Sequence, residues 1–162
     1  MYSQWLDFKS KKRQATGCGI LSLLMVMEYN KRNKKLPNPE KLYQVGLNRR
    51  AYVEKTGWRH SGLVGLAKLY GYKKSQAYDL TGQDFKPALI VLKKELKNGP
   101  LVVSIYKDYQ PNKGGHLLVL EKLNETEALV WDPDTKNRNK VKQTIAIDKF
   151  LNGWKKRFIT IR

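Results

Sequence analysis

The 162-residue chain carries one cysteine and two histidines, and three of its side chains have the type and setting that thiol chemistry needs. Cys18 stands in Thr16-Gly17-Cys18-Gly19, directly ahead of the apolar run Ile20-Leu21-Ser22-Leu23-Leu24-Met25-Val26-Met27. His116 follows Gly114-Gly115 and opens an apolar stretch over 116–123, and Asp132 closes Val130-Trp131-Asp132-Pro133. A sulfur at a helix start, an imidazole on a strand and a carboxylate to orient the imidazole together allow a thiolate to attack a carbonyl while the imidazole moves the proton.

Each of these side chains depends on the element beneath it. Residues 18–29 are apolar almost all round, which predicts a buried helix with its first-turn N–H groups near Cys18. The positive end of that helix, together with a neighbouring imidazolium, would hold the sulfur as thiolate. Gly17 and Gly19 are expected to leave the backbone open on both sides of the sulfur. Taken alone, Cys18 reads better as a small buried hydrophobe than as a nucleophile. His116 and Asp132 tip the balance, because 116–123 and 127–131 both read as strands joined by a turn near 124–126. An antiparallel hairpin of that kind brings its two outer ends together and makes His116 and Asp132 neighbours at one edge of a sheet. Separately, Asp132 would be a turn-former before Pro133 and His116 a satisfied polar residue at a strand end.

These segments, with several others in the same order, resemble the bacteriocin-leader-peptidase-like cysteine peptidases, the C39-like group of the papain-like superfamily. The matching stretches are Tyr2-Ser3-Gln4-Trp5, Thr16-Gly17-Cys18-Gly19, the segment from Gly62 to Gly71, Asn98-Gly99-Pro100-Leu101-Val102-Val103, Gly115-His116 and Trp131-Asp132-Pro133. The resemblance implies Cys18 as nucleophile, His116 as general base and acid, and Asp132 as the residue that orients His116. It also implies a peptide or protein substrate with small residues, such as Gly-Gly, before the scissile bond.

One departure concerns the oxyanion hole. The family usually places a glutamine a few residues before the cysteine, and in its tightest members the gap is six, which here falls on Lys12. Only Gln4 and Gln14 lie upstream. Gln4, in its family-like context, is the preferred donor, although it requires the basic stretch 9–13 to loop out; Gln14 is the alternative. Losing such a donor costs about 3 kcal/mol of transition-state stabilisation.

The remaining pattern is helices first and strands afterwards. Short helices are expected at 39–45 and, capped by Ser61 and ended by Gly71, at 63–70; 47–55 reads as irregular or helical. His60 is expected to serve local hydrogen bonding. Phe85, Leu89, Leu92 and Leu96 form an inward stripe on a helix over 84–97, with Pro87 in its first turn. Period-two segments follow at 101–106, 116–123, 127–131, 141–147 and 158–161, with a short helix at 148–154. The fold class is therefore α+β and papain-like, a helical half carrying the cysteine packed on an antiparallel sheet that carries His116 and Asp132, in a single domain over 1–162.

With 41% hydrophobic residues the chain can build a sizeable core. A lone cysteine excludes an intrachain disulfide, which suits a reducing compartment without excluding export. No segment reads as a signal peptide or membrane span, so a soluble domain is expected, cytoplasmic or exported. The scattered histidines and cysteine imply no metal, and no phosphate loop or other cofactor motif is present. The net charge of +18 is the second informative feature. Positives cluster at 9–13, 31–35, 136–142 and 155–157. Such an excess favours a polyanionic partner, whether nucleic acid, an acidic protein or an anionic envelope surface. It also motivates an alternative function, a basic toxin or nucleic-acid-binding domain, RNA-cleaving through His116, on the same scaffold.

Overall fold

Residues 18–29, apolar on every side, form one helix whose side chains from Ile20 to Met27 are all buried, and this helix organises the rest of the molecule. A computed structural model describes residues 1–31 and 35–162. Part of the basic segment 31–35 lies outside the described residues. In chain order the helices are α1 (Gln4–Asp7), α2 (Lys11–Thr16), α3 (Cys18–Tyr29), α4 (Pro39–Asn48), α5 (His60–Leu69), α6 (Phe85–Leu96) and α7 (Ile147–Gly153). The strands are β1 (Tyr52–Val53), β2 (Gly57–Trp58), β3 (Gln76–Asp79), β4 (Leu101–Tyr106), β5 (Gly115–Leu123), β6 (Glu127–Trp131), β7 (Lys142–Ala146) and β8 (Trp154–Thr160). Among the described residues no helix is long and apolar enough to cross a membrane.

Strands β3 to β8 form one antiparallel sheet in the order β3-β8-β4-β5-β6-β7. Helices cover both faces, so Leu101 to Ile105 of the central β4 are buried without alternation, as a strand rich in β-branched residues allows. The period of two still sorts the side chains. Val102, Leu117, Val119 and Ile159 face α3, α4 and α5, whereas Leu101, Val103, Leu118 and Leu120 face α6 and α7. Inside the first layer the buried hydroxyl of Ser22 donates to the carbonyl of Leu117 at 3.0 Å, tying α3 to β5.

Several expectations are corrected. The segment 9–13 does not loop out: Ser10 accepts from the Arg13 N–H and starts α2, which meets α3 with only Gly17 between them. Position 59 rather than Ser61 caps α5, because the helix begins a turn earlier at His60; Gly71 does follow its end, at φ +90°. On α6 the buried positions are Ala88 and Leu92, while Phe85 is 40% exposed and meets Trp154 edge-on at the rim. The hairpin strands β1 and β2 and the edge strand β3 are too short to carry a periodic signal. The last strand begins at Trp154 and incorporates the basic cluster 155–157. There its pairing with β4 slips, from Ser104↔Arg157 to Ile105↔Trp154, so Lys155 and Lys156 form a bulge.

Candidate active site

The helix start that carries Cys18 is positioned by close packing. A Cβ on Gly17 would lie 2.2 Å from the Phe8 ring, and one on Gly19 would lie 2.8 Å from Trp58 and 3.0 Å from Leu117. The glycines flanking the sulfur are thus demanded by neighbours that fill the space, not by an open backbone as their composition suggested. Trp58 is itself fixed, its indole N–H donating to the Thr16 carbonyl at 2.7 Å. Cys18 remains half-buried and faces a cleft of about 650 Å³.

His116 and Asp132 meet through strand register. β5 and β6 pair with Val119 opposite Trp131 and Leu120 opposite Val130, turning through Asn124, whose side-chain oxygen accepts from the Thr126 and Glu127 N–H groups. One step beyond Trp131, Asp132 falls on the same face as His116 and diagonal to it, within reach of an imidazole. Its Oδ1 accepts from His116 Nε2 at 2.7 Å and from the Asp134 N–H at 2.9 Å. One carboxylate oxygen therefore closes the turn before Pro133 and engages the ring. The other ring nitrogen is not engaged by Asp132, and His116 and Cys18 line the same cleft and shift each other's charge.

The charges follow from this geometry. Burial works against the imidazolium, but the hydrogen bonds and negative charges of Asp132 and Cys18 outweigh it and raise His116 to about 10. Burial alone would raise the Cys18 thiol. The hydrogen bond and charge of His116, with the N–H groups of Leu117 and Gly19, instead bring it below its ordinary value. Burial likewise opposes the charge on Asp132, and His116, the Asp134 N–H and Lys107 hold it below the usual carboxylate range.

A second row of hydrogen bonds supports Asp132. Asp134 accepts on Oδ1 from Gln4 Nε2 at 2.8 Å and from the Trp5 indole at 2.7 Å, and its Oδ2 pairs with Lys107 at 3.3 Å. Neither candidate glutamine lines the cleft around Cys18. They differ in what they have left to give. Gln14 Nε2 donates to the carbonyls of Trp5 and Phe8, using both its hydrogens, whereas Gln4 gives one to Asp134 and leaves its Oε1 buried without a partner.

The cleft runs between the Cys18 helix start with the β1–β2 hairpin on one side and Ser104, Gly115, Lys155 and Arg157 of the sheet on the other. His60 lines it too, and burial, followed by the charge of Arg157, lowers its pKa, against Asp79 and with Lys155. The charge cluster 155–157 carries no mark in the sequence of its place in the cleft with the sulfur, nor does Tyr52. Among the described residues no group of three or more His, Cys, Asp or Glu side chains is arranged to hold a metal ion.

Residues 1–158 match the family described as Peptidase C39 like. The chain belongs to this family. Among solved structures it is similar to a chain described as a C39-like peptidase from Bacillus anthracis, at 19% identity, TM-score 0.67, over 98% of this chain and 92% of that one. It is also similar to the peptidase domain of Streptococcus ComA, a bifunctional ABC transporter involved in quorum sensing, at 17% identity, TM-score 0.63, over 90% of each chain. A double glycine motif protease from an AMS/PCAT transporter, solved with its leader peptide, aligns at 22% identity, TM-score 0.57, over 89% of this chain and 82% of that one. Among curated proteins none matches the sequence. The C39-like fold, a helical layer carrying the cysteine against an antiparallel sheet, is thus the architecture of this chain.

Proposed function

We propose that the protein is a cysteine peptidase that hydrolyses peptide bonds, with Cys18 as nucleophile, His116 as general base and acid, and Asp132 as the residue orienting His116. The observation that carries this reading is the 2.7 Å bond between Asp132 and His116, in a cleft that His116 and Cys18 line together. The thiolate attacks the scissile carbonyl, and the carbonyl oxygen becomes an oxyanion. His116 then gives its proton to the departing amine, leaving a thioester on Cys18. Water, deprotonated by His116, attacks the thioester, and collapse of the second oxyanion releases the acid and restores the thiolate.

The oxyanion needs a preorganised donor. Gln4 has an amide hydrogen beyond the one given to Asp134, whereas Gln14 has none to spare, so of the two we assign the side-chain donor to Gln4, whose amide must turn toward the cleft it does not line here. Family membership supports a peptide or protein substrate, and the printed association of one structural neighbour with a leader peptide is in keeping with it. Small residues before the scissile bond follow from the resemblance alone. The nucleic-acid reading gains no support from the family.

The test is the pH profile of Cys18 alkylation by iodoacetamide. The reactive ion pair forms above the lowered pKa of Cys18 and persists until His116 loses its proton near 10, so wild-type protein should react well below the ordinary thiol pKa of about 8.5. A Cys18 that titrates like a free thiol, in wild type and in His116→Ala alike, would sink the assignment.

A further inference from the structure

We propose that this cleft selects acidic peptide segments, with Lys155 on the β8 bulge reading an Asp or Glu carboxylate beside the scissile bond and Lys55 and Arg59 reading a further one from the opposite wall. The proposal rests on the peptidase reading above and names its substrate class.

Four cationic residues line the cleft with Cys18, namely Lys55, Arg59, Lys155 and Arg157, against a single carboxylate, Asp79, which is already paired with Arg157 at 3.0 Å. Elsewhere the basic surface is partly neutralised in place, as Arg13 pairs with Glu40, Arg138 with Asp7 and Lys142 with Glu121. Among the described residues no carboxylate pairs with Lys55, Arg59 or Lys155. The cleft therefore concentrates uncompensated positive charge around the reacting sulfur, where walls of protein strengthen its field. The pKa of His60 is lowered first by burial and then by the charge of Arg157, with Asp79 opposing and Lys155 adding to the lowering.

The position of Lys155 is built into the backbone. Two residues are inserted in β8 between the pairs Ser104↔Arg157 and Ile105↔Trp154, and Lys156 takes φ +53°, a conformation that side chains other than glycine rarely adopt. The Lys156 ammonium donates to the carbonyls of Thr81 at 3.0 Å and Gln83 at 2.6 Å, anchoring the bulge on its outer side. On its inner side the Lys155 ammonium lies 4.8 Å over the Tyr106 ring and 3.6 Å from where a Cβ on Gly115 would stand, next to His116. A solvated surface lysine needs no such device; a strand bent to aim an ammonium into the cleft suits a fixed anionic ligand group.

A peptide fits this charge better than a nucleic acid. Of the cleft aromatics Trp58 is buried, meets Tyr52 edge to face at 5.1 Å and has its N–H spent on Thr16, so it offers no open ring face to a base.

Two measurements test the proposal. The first compares Cys18 alkylation by iodoacetate and iodoacetamide, reagents that differ by one negative charge, and requires no turnover. Lys155→Gln and, separately, Lys55→Gln should each lower the iodoacetate-to-iodoacetamide rate ratio, Lys155→Gln by about fivefold at low salt, as one charge near the reacting atom predicts, and the difference should fade at high salt. Lys55 is exposed and holds no other element, so its variant keeps the test valid if the bulge variant melts early. The second measures kcat/KM on peptide sets that carry Glu, Gln or Lys at each position near the scissile bond. Glu should be preferred by wild type, and Lys155→Glu should reverse the preference.

Unchanged alkylation ratios in both variants, or cleavage blind to charge, would overturn the proposal. So would protection of Cys18 by polyuridylate with none by a Glu-containing peptide, which would make nucleic acid the occupant. If no peptide is cleaved, the peptidase reading fails by itself, and the alkylation ratios still decide whether the cleft is an anion-selective site.

Discussion

The helix start that carries Cys18 and the strand end that carries His116 face each other across one cleft, yet the first is held by contact between apolar surfaces and the second by hydrogen bonds. Gly17 and Gly19 leave room for the Phe8 and Trp58 rings and no more. His116 instead hangs on a chain of polar groups running through Asp132 and Asp134 to Gln4, Trp5 and Lys107. A sulfur needs only to be placed, whereas an imidazole must also be given the right tautomer and charge, which only polar partners can do. The two sides should therefore fail differently: damage to the first should lower stability, and damage to the second should lower reactivity.

The largest expected effect is that of His116→Ala. Removing the imidazolium returns Cys18 to an ordinary thiol of pKa about 8.5, so alkylation at pH 6 should drop on the order of a hundredfold while the protein stays folded. Gln4→Ala comes next. If its amide serves the oxyanion, kcat/KM should fall about a hundredfold, with Cys18 alkylation nearly unchanged because alkylation forms no oxyanion. Equal losses in both assays would instead place Gln4 in support of Asp134 and His116.

Gly17→Ala probes the opposite side. Its new methyl meets the Phe8 ring and the Arg13 carbonyl, and such overpacking costs about 1–3 kcal/mol. The melting temperature should fall while the alkylation profile of the folded fraction keeps its pH limits; a changed profile at unchanged stability would erase the contrast. The smallest effect is predicted for Asp132→Asn. The amide oxygen can still accept from the Asp134 N–H and keep the turn, so the melting temperature should hold. Loss of the negative charge lowers the His116 pKa from about 10, so the imidazolium is lost at lower pH and the reactive window closes from its alkaline side. Turnover should fall about tenfold. A lower melting temperature with an intact alkaline limit would make Asp132 a turn residue only.

The pairing of His116 with Asp132 was legible in the sequence because a hairpin has a fixed side-chain period and a turn that can be located near Asn124. The α3 helix was legible because an apolar run of that length has few other ways to be buried. The loop expected over 9–13 is instead helix: α1 and α2 are too short to show a period, and α2 is nucleated by the single Ser10 cap against a strongly basic composition. The function of Gly17 and Gly19 was invisible for another reason, since the Phe8 and Trp58 rings that demand them come from elsewhere in the chain. The cleft position of Lys155 depends on a bulge, and a two-residue slip in pairing leaves no mark on composition.

The Ser22 hydroxyl that reaches Leu117 bears on how the molecule can move. The Leu117 peptide unit gives its N–H to the Cys18 sulfur and takes the Ser22 proton on its carbonyl, so a single residue of β5 is gripped twice by the same helix. Separating helix from sheet would break both bonds together and open a dry layer behind them, an event close in cost to global unfolding. Breathing of the cleft then falls to its lightest wall, the exposed tip of the β1–β2 hairpin over 53–56, since Trp58 at the hairpin's end is pinned to the helix start. Access for a bulky chain would be gated by that flap, while the distance between sulfur and imidazole stays constant throughout.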